Sequence, residues 1–112
     1  MQEEVVFSRR GEELTARLAC EIDHHAARRI RERIDDSIFL LRPSTLTLDF
    51  GGVRFMDSSG IALILGRVEV MSSMDGRVRL VGVNSTLMKL LRLSGLERIP
   101  SLTIQTVYIP KV

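Results

Sequence analysis

Asp57-Ser58-Ser59-Gly60 sets two adjacent hydroxyls beside a carboxylate, directly before an apolar helical period. That spacing puts them at a helix start, where the first backbone N–H groups lack intrahelical partners and aligned peptide dipoles leave partial positive charge. Asp and Ser are favoured there because their oxygens accept those N–H bonds. Gly60 keeps side-chain bulk off the first turn, which allows another molecule to approach the backbone closely. A cap accounts for one such residue. Two hydroxyls and an acid exceed that need. They follow a Gly51-Gly52 break and a Phe55-Met56 pair that presses the loop onto the core, which suits a positioned site.

Catalysis by Ser58 would need more than this segment provides. A nucleophile elbow requires glycines two residues to each side of the serine, and neither Ser58 nor Ser59 has them. No Gly-x-x-x-x-Gly-Lys-Ser/Thr loop is present to cradle a nucleotide, so no enzyme and no built-in cofactor are expected. His24 and His25 are neighbours, about 100° apart on a helix. They therefore cannot share a metal as i, i+4 ligands would, and no metal site is expected. Cys20 is the only cysteine, which rules out an intrachain disulfide and a Cys-rich metal site. It has no evident triad partner and is expected to be buried.

The elements that must position Ser58 follow from the pattern. Val5 to Arg9 reads as a strand, Gly11 as a turn, and Leu14 to Cys20 as a second strand, an opening hairpin. Asp23 stands where a helix N-cap belongs, with Ala26, Ile30, Ile34 and Ile38 following as one apolar stripe and Pro43 forcing a stop. Ser44 to Phe50 alternates as a strand. From Ile61 the apolar residues Ile61, Ile64, Leu65, Val68 and Met71 keep a helical period. Asp75-Gly76 predicts a turn, and Val78 to Val83 another strand. Asn84 can cap a third helix with Leu87, Leu90 and Leu91 inward and Gly95 at its end. Ile99 onward reads as an extended tail. Strands alternating with helices imply parallel pairing through right-handed crossovers, with helices mainly on one face of a small sheet.

Composition narrows the classes further. At 112 residues, with 45% hydrophobic and 27% charged, the chain suits one ordinary globular domain with an aliphatic core, since aromatics are only 4%. The acidic start Met1-Gln2-Glu3-Glu4 is unlike a signal peptide, and no apolar run approaches a membrane span, so a cytoplasmic location is expected. The net charge is +2, mostly from arginines. Their densest cluster, Arg28, Arg29, Arg31 and Arg33, is interleaved with Glu32 and followed by Asp35 and Asp36. That mixture reads as a solvated helix face rather than a nucleic-acid stripe.

Three motifs carry a resemblance. Phe55-Met56-Asp57-Ser58-Ser59-Gly60-Ile61, continuing through Ile64-Leu65-Gly66-Arg67, resembles the phosphorylation segment of the anti-sigma factor antagonists of the STAS domain family, above all the stage II sporulation protein AA type. Glu21-Ile22-Asp23-His24-His25 resembles that group's motif after the second strand, and Leu93-Ser94-Gly95-Leu96 with Ile99 its third-helix ending. The resemblance implies a single STAS domain over residues 1–112, an α/β fold with a mixed sheet of four to five strands and three to four helices. It also implies partner switching. The unphosphorylated chain would bind an anti-sigma factor that is a serine kinase and free a sigma factor. That kinase would then phosphorylate Ser58 with its own ATP and end the complex, and a protein serine phosphatase would restore it. Asp23, Asp57, Ser58, Ser59, Gly60 and Ile61 would form the partner-binding edge. No nucleic acid and no membrane partner is implied.

The other reading is a non-switching STAS subunit of a larger signalling or transport complex. Two departures from the family pattern stand out. Cys20 replaces a glycine, which implies a slightly different loop path beside Glu21. Ser101 to Val112, with Pro110, looks extended where many relatives have a helix, so the helix is shortened or the tail pairs with something, such as a neighbouring chain.

Overall fold

The computed structural model describes residues 4–107. Its opening hairpin joins β1 (Val5–Arg10) to β2 (Glu13–Leu18), antiparallel with Val5 opposite Leu18 and Arg10 opposite Glu13. The expected second strand ends two residues early, before the chain turns into the Ala19–Asp23 loop. After α1 (His24–Leu41), β3 (Thr45–Asp49) lies parallel to β2. After α2 (Ser58–Ser72), β4 (Arg77–Val83) lies parallel to β3. Then come α3 (Ser85–Leu93), one 3-10 turn (Leu96–Arg98) and β5 (Leu102–Thr106), parallel to β4. The sheet order is β1-β2-β3-β4-β5. Three successive crossovers of one hand, moving steadily across the sheet, put the helices on the same face.

The register confirms that one face is the core. Leu14, Leu46, Val78 and Leu102 share one row, and Ala16, Leu48, Leu80 and Ile104 the next. These side chains form one cluster with Ile30, Ile34 and Ile38 of α1, Ile64, Val68 and Met71 of α2, and Leu87 and Leu91 of α3. The opposite face is polar, with the row Ser8, Thr15, Thr47, Arg79 and Thr103. At its centre Thr47 is buried, its hydroxyl donating to Glu13 Oε2 at 2.9 Å.

The expected extended tail is a fifth strand, and it pairs with β4 of its own chain from Leu102 to Thr106; residues 108–112, including Ile109 and Pro110, lie outside the described residues. One expectation is corrected. The stripe on α2 is rotated from the expected one. Leu63 and Arg67 are buried, while Leu65 is 39% exposed and Ile61 only half-buried. The period identifies a helix, but packing against α1 decides which flank turns inward. Arg42 ends α1 in a left-handed conformation (φ 49°), its N–H donating to Ile38 O, so the helix stops just before Pro43 as expected.

Candidate functional site

Parallel strands all end at one edge of the sheet, and each helix that follows begins there. Ligand and partner sites in open α/β sheets gather at that edge because helix N-termini and loops converge on it. Here three side chains cap the three helices. Asp23 Oδ1 accepts the Ala26 N–H at 2.8 Å, Asp57 Oδ1 accepts the Ser59 N–H at 2.7 Å, and Asn84 Oδ1 accepts the Leu87 N–H at 2.8 Å. Asp23 and Asp57 have nearly the same extended backbone, φ −97° and −98°. The Ala26 N–H bond holds the Asp23 carboxyl below the usual carboxylate range against a smaller burial penalty.

The loops of β2–α1 and β3–α2 are stitched together. Ile22 and Met56 form an isolated parallel bridge, and the Asp57 N–H donates to Ile22 O at 3.3 Å. Ile22 and Met56 are buried, so each loop is pinned through one apolar residue and presents its acid outward. Asp23 and Asp57 therefore begin adjacent helices on one edge, as the family pattern implies.

Ser58 is the first residue of α2 and is exposed; its hydroxyl makes no side-chain hydrogen bond among the described residues. Ser59 is half-buried and turns toward α1. Gly60 is buried, and its need for glycine is internal. A Cβ there would collide with the Met56 side chain, meeting Sδ and standing 2.8 Å from Cγ. The space that Gly60 leaves is filled by Met56 rather than held open for an approaching molecule. Of the Phe55-Met56 pair, only Met56 presses into the core; Phe55 is 54% exposed beside the loop. Ile61 is half-buried on the rim. All six expected edge residues thus fall in one neighbourhood, five of them reaching the surface at least partly.

The sequence does not reveal a second task of Asn84. Its Nδ2 donates to Val53 O at 3.2 Å and Arg54 O at 3.1 Å, clamping the segment that leads into Asp57 while its oxygen caps α3. The cap is a local signal, whereas the clamp joins residues some 30 positions apart. Gly82 (φ +69°), where the β4–β5 register slips, supports the same loop. A Cβ there would stand 2.8 Å from Gly51 N, so the Gly51 turn could not pack against β4.

His24 and His25 start α1 with their rings 5.7 Å apart and edge-on. Cys20 is half-buried rather than buried, near Glu4 Oε2 at 3.9 Å; burial first and the Glu4 carboxylate second push its thiol above the usual range. That is the reverse of an activated thiol. No helix among the described residues is long and apolar enough to cross a membrane.

A helix start with an exposed serine, held on a one-sided five-stranded sheet, is the arrangement of a STAS domain. The chain belongs to the STAS domain family, whose model matches residues 5–108. Among its relatives, it is 39% identical to the anti-sigma F factor antagonist of Lysinibacillus sphaericus over 85 residues, 76% of this chain and 73% of that one. The unphosphorylated form of the anti-sigma factor antagonist SpoIIAA superposes with a TM-score of 0.77 at 33% identity, covering 89% of this chain and 86% of that one. The phosphorylated form of the Bacillus cell-fate determinant SpoIIAA superposes at 0.69 with 34% identity, covering 89% of both.

Proposed function

We propose that this chain is an anti-sigma factor antagonist gated by phosphorylation of Ser58. The observation that carries the proposal is the Ser58 hydroxyl itself, exposed and without a side-chain hydrogen bond among the described residues, at the first residue of a helix whose loop is clamped by Met56 and Asn84. Relatives that are anti-sigma factor antagonists, one of them known in phosphorylated form, support the reading. The unphosphorylated edge binds an anti-sigma factor that is also a serine kinase and so releases a sigma factor. The kinase transfers a phosphoryl group from its own ATP to Ser58, and a protein serine phosphatase removes it.

The electrostatics explain how one group could end such a complex. A phosphate brings about −1.5 to −2 charges and three acceptor oxygens. The helix N-terminus tolerates it within the fold. The adjoining Asp57, exposed and with one carboxylate oxygen committed to the Ser59 N–H, deepens the negative field toward the partner. A surface shaped for a neutral hydroxyl then meets charge, bulk and a desolvation penalty. Every ~1.4 kcal/mol lost is tenfold in affinity.

Intact mass after incubation with the cognate kinase and ATP tests the reading. One phosphate is expected on the wild type and none on Ser58→Ala. A wild type left unmodified by its kinase would overturn the switch and leave the non-switching STAS subunit standing. Ser58→Asp should bind the kinase more weakly by calorimetry.

A further inference from the structure

The arginine cluster that reads as one solvated face is divided by the structure into two. Arg29 and Arg33 turn toward β1. Arg29 grips Glu4 with two bonds of 2.6 and 2.7 Å, and Arg33 donates to Val5 O at 3.2 Å while lying over the Phe7 ring. Arg28 and Arg31 turn the other way, with His24, into a groove of about 320 Å³ between α1 and α2. Ala27, Ala62 and Leu63 line it, and Ser59 forms part of its wall, next in the chain to Ser58. The groove exists because the facing positions Ala27 and Ala62 are too small to fill the space between the helices.

Its charge is only partly compensated by the fold, through a loose Arg28–Glu32 contact and a longer-range attraction between Arg31 and Asp35. The i+4 carboxylate that Arg31 would meet on its own helix is Asp35. Asp35 is instead engaged by the buried Arg67 of α2, Nε to Oδ1 at 3.0 Å. No carboxylate lies within ion-pair distance of Arg31 among the described residues. Arg28 reaches only Glu32, at 3.8 Å with both side chains largely exposed, a pairing loose enough to exchange. Among the described residues, no acidic one lines the groove. A cationic concavity beside the Ser58 edge is complementary to carboxylates, and guanidinium forks bind those bidentately.

We infer that the groove between α1 and α2 receives an acidic segment of the anti-sigma factor, with Arg28 and Arg31 as its anchors. The inference rests on the partner-switching reading and adds to it a second contact, separate from the serine. It also gives phosphorylation a further consequence, since a phosphate on Ser58 would set negative charge one residue from the groove wall at Ser59 and repel that segment.

The test compares binding of the full chain to its cognate anti-sigma factor by calorimetry at low and high salt. The variants are Arg28→Glu/Arg31→Glu and a control of equal charge change, Arg10→Glu/Arg77→Glu, in the row at the far edge of the sheet. Circular dichroism checks that both fold. The groove variant should lose at least about tenfold in affinity at low salt and most of the salt dependence, while the control stays near the wild type. Wild-type affinity and salt slope in the groove variant would overturn the inference while leaving the switch intact, as would equal weakening by both variants. A wild type that binds no anti-sigma factor would overturn the underlying reading as well. Amide shifts at Arg28, Arg31 and Ser59 on titrating the chain alone with inorganic phosphate or ATP at micromolar levels would reassign the groove to a small anion and also overturn it.

Discussion

Ser58 and Ser59 are neighbours with the same side chain, yet they hold different positions. Ser58 is exposed at the first helical residue, whereas Ser59 lends its N–H to Asp57 and forms part of the groove wall. A kinase needs an accessible hydroxyl on a backbone that stays still, and that stillness comes from residues other than the serine. Asn84 is the clearest of them, and its two tasks can be separated by substitution. Asn84→Ala removes the α3 cap and both bonds to the Val53 and Arg54 carbonyls, so it should cost about 1–2 kcal/mol by urea denaturation. Asn84→Asp keeps an acceptor for the Leu87 N–H but offers no donor to those carbonyls. It should recover much of the stability while amides from Val53 to Ser58 exchange faster than in the wild type. Equal protection of that segment in Asn84→Asp would show that the clamp does not hold the loop. Caps such as Asp23, Asp57 and Asn84 are legible in the sequence because each sits one residue before its helix. The clamp, the exposure of Phe55 and the burial of Gly60 under Met56 are not, because each depends on a neighbour that only the folded chain supplies.

At the scale of elements, the alternation in Ser44 to Phe50 and the fourfold spacing of Ala26, Ile30, Ile34 and Ile38 identify β3 and α1 correctly. In α1 the stripe is the buried face, and in β3 the alternation puts Leu46 and Leu48 on the helix-covered face although Thr47 opposite is buried too. α2 shows where this fails. Its apolar residues run nearly all round the helix, so the inward flank is set by contact with α1, and that contact buries Arg67 at 4% exposure. Burial pushes the Arg67 guanidinium down and the Asp35 carboxyl up, each partly opposed by the other's charge. At 3.0 Å the pair lacks hydrogen-bond alignment, and Arg67 Nη1 has no hydrogen-bond partner among the described residues. A desolvated pair of this kind is not by itself a source of stability. Asp35→Ala alone, which leaves the Arg67 charge buried, should destabilise by about 2–3 kcal/mol, less than a fully buried pair because Asp35 keeps some solvent. Arg67→Met combined with Asp35→Ala should return stability to the wild-type value or above. A double variant as unstable as the single one would show that the pair is net stabilising. β1 is joined to α1 by a different kind of pair. Arg29, chiefly through its hydrogen bond, holds the Glu4 carboxyl below its ordinary value of 4.5. A folded-state value below the unfolded one means the contribution is present above about that pH and is lost as pH falls through the depressed value. The urea midpoint of the wild type should therefore exceed that of Glu4→Gln at pH 7, with the gap closing toward pH 3. A gap that widened on acidification would contradict the sign of the shift.

The whole molecule separates its core from its candidate switch. The aliphatic cluster runs from Val5 to Leu102 across the helix-covered face of the sheet, while the Ser58 edge lies where β2, β3 and β4 end. The edge is held by contacts that a phosphate does not have to break, namely the Ile22–Met56 bridge, Met56 over Gly60 and the Asn84 clamp. Asp57 already spends one carboxylate oxygen on the Ser59 N–H, so added charge meets a preformed cap rather than an empty one. Interfaces can be lost for a few kcal/mol, whereas repacking a close-packed core costs more, which favours blockade over refolding. In the phosphorylated chain, amide shift changes should therefore stay within the loops preceding α1, α2 and α3 and the first turns of those helices. β1, the Gly11 turn and β5 should keep their resonances, measured by comparing the two forms in one buffer. Changes spreading through β1 or Leu102–Thr106 would mean that the phosphate acts by rearranging the sheet, and the same spectra would then locate the element that moves.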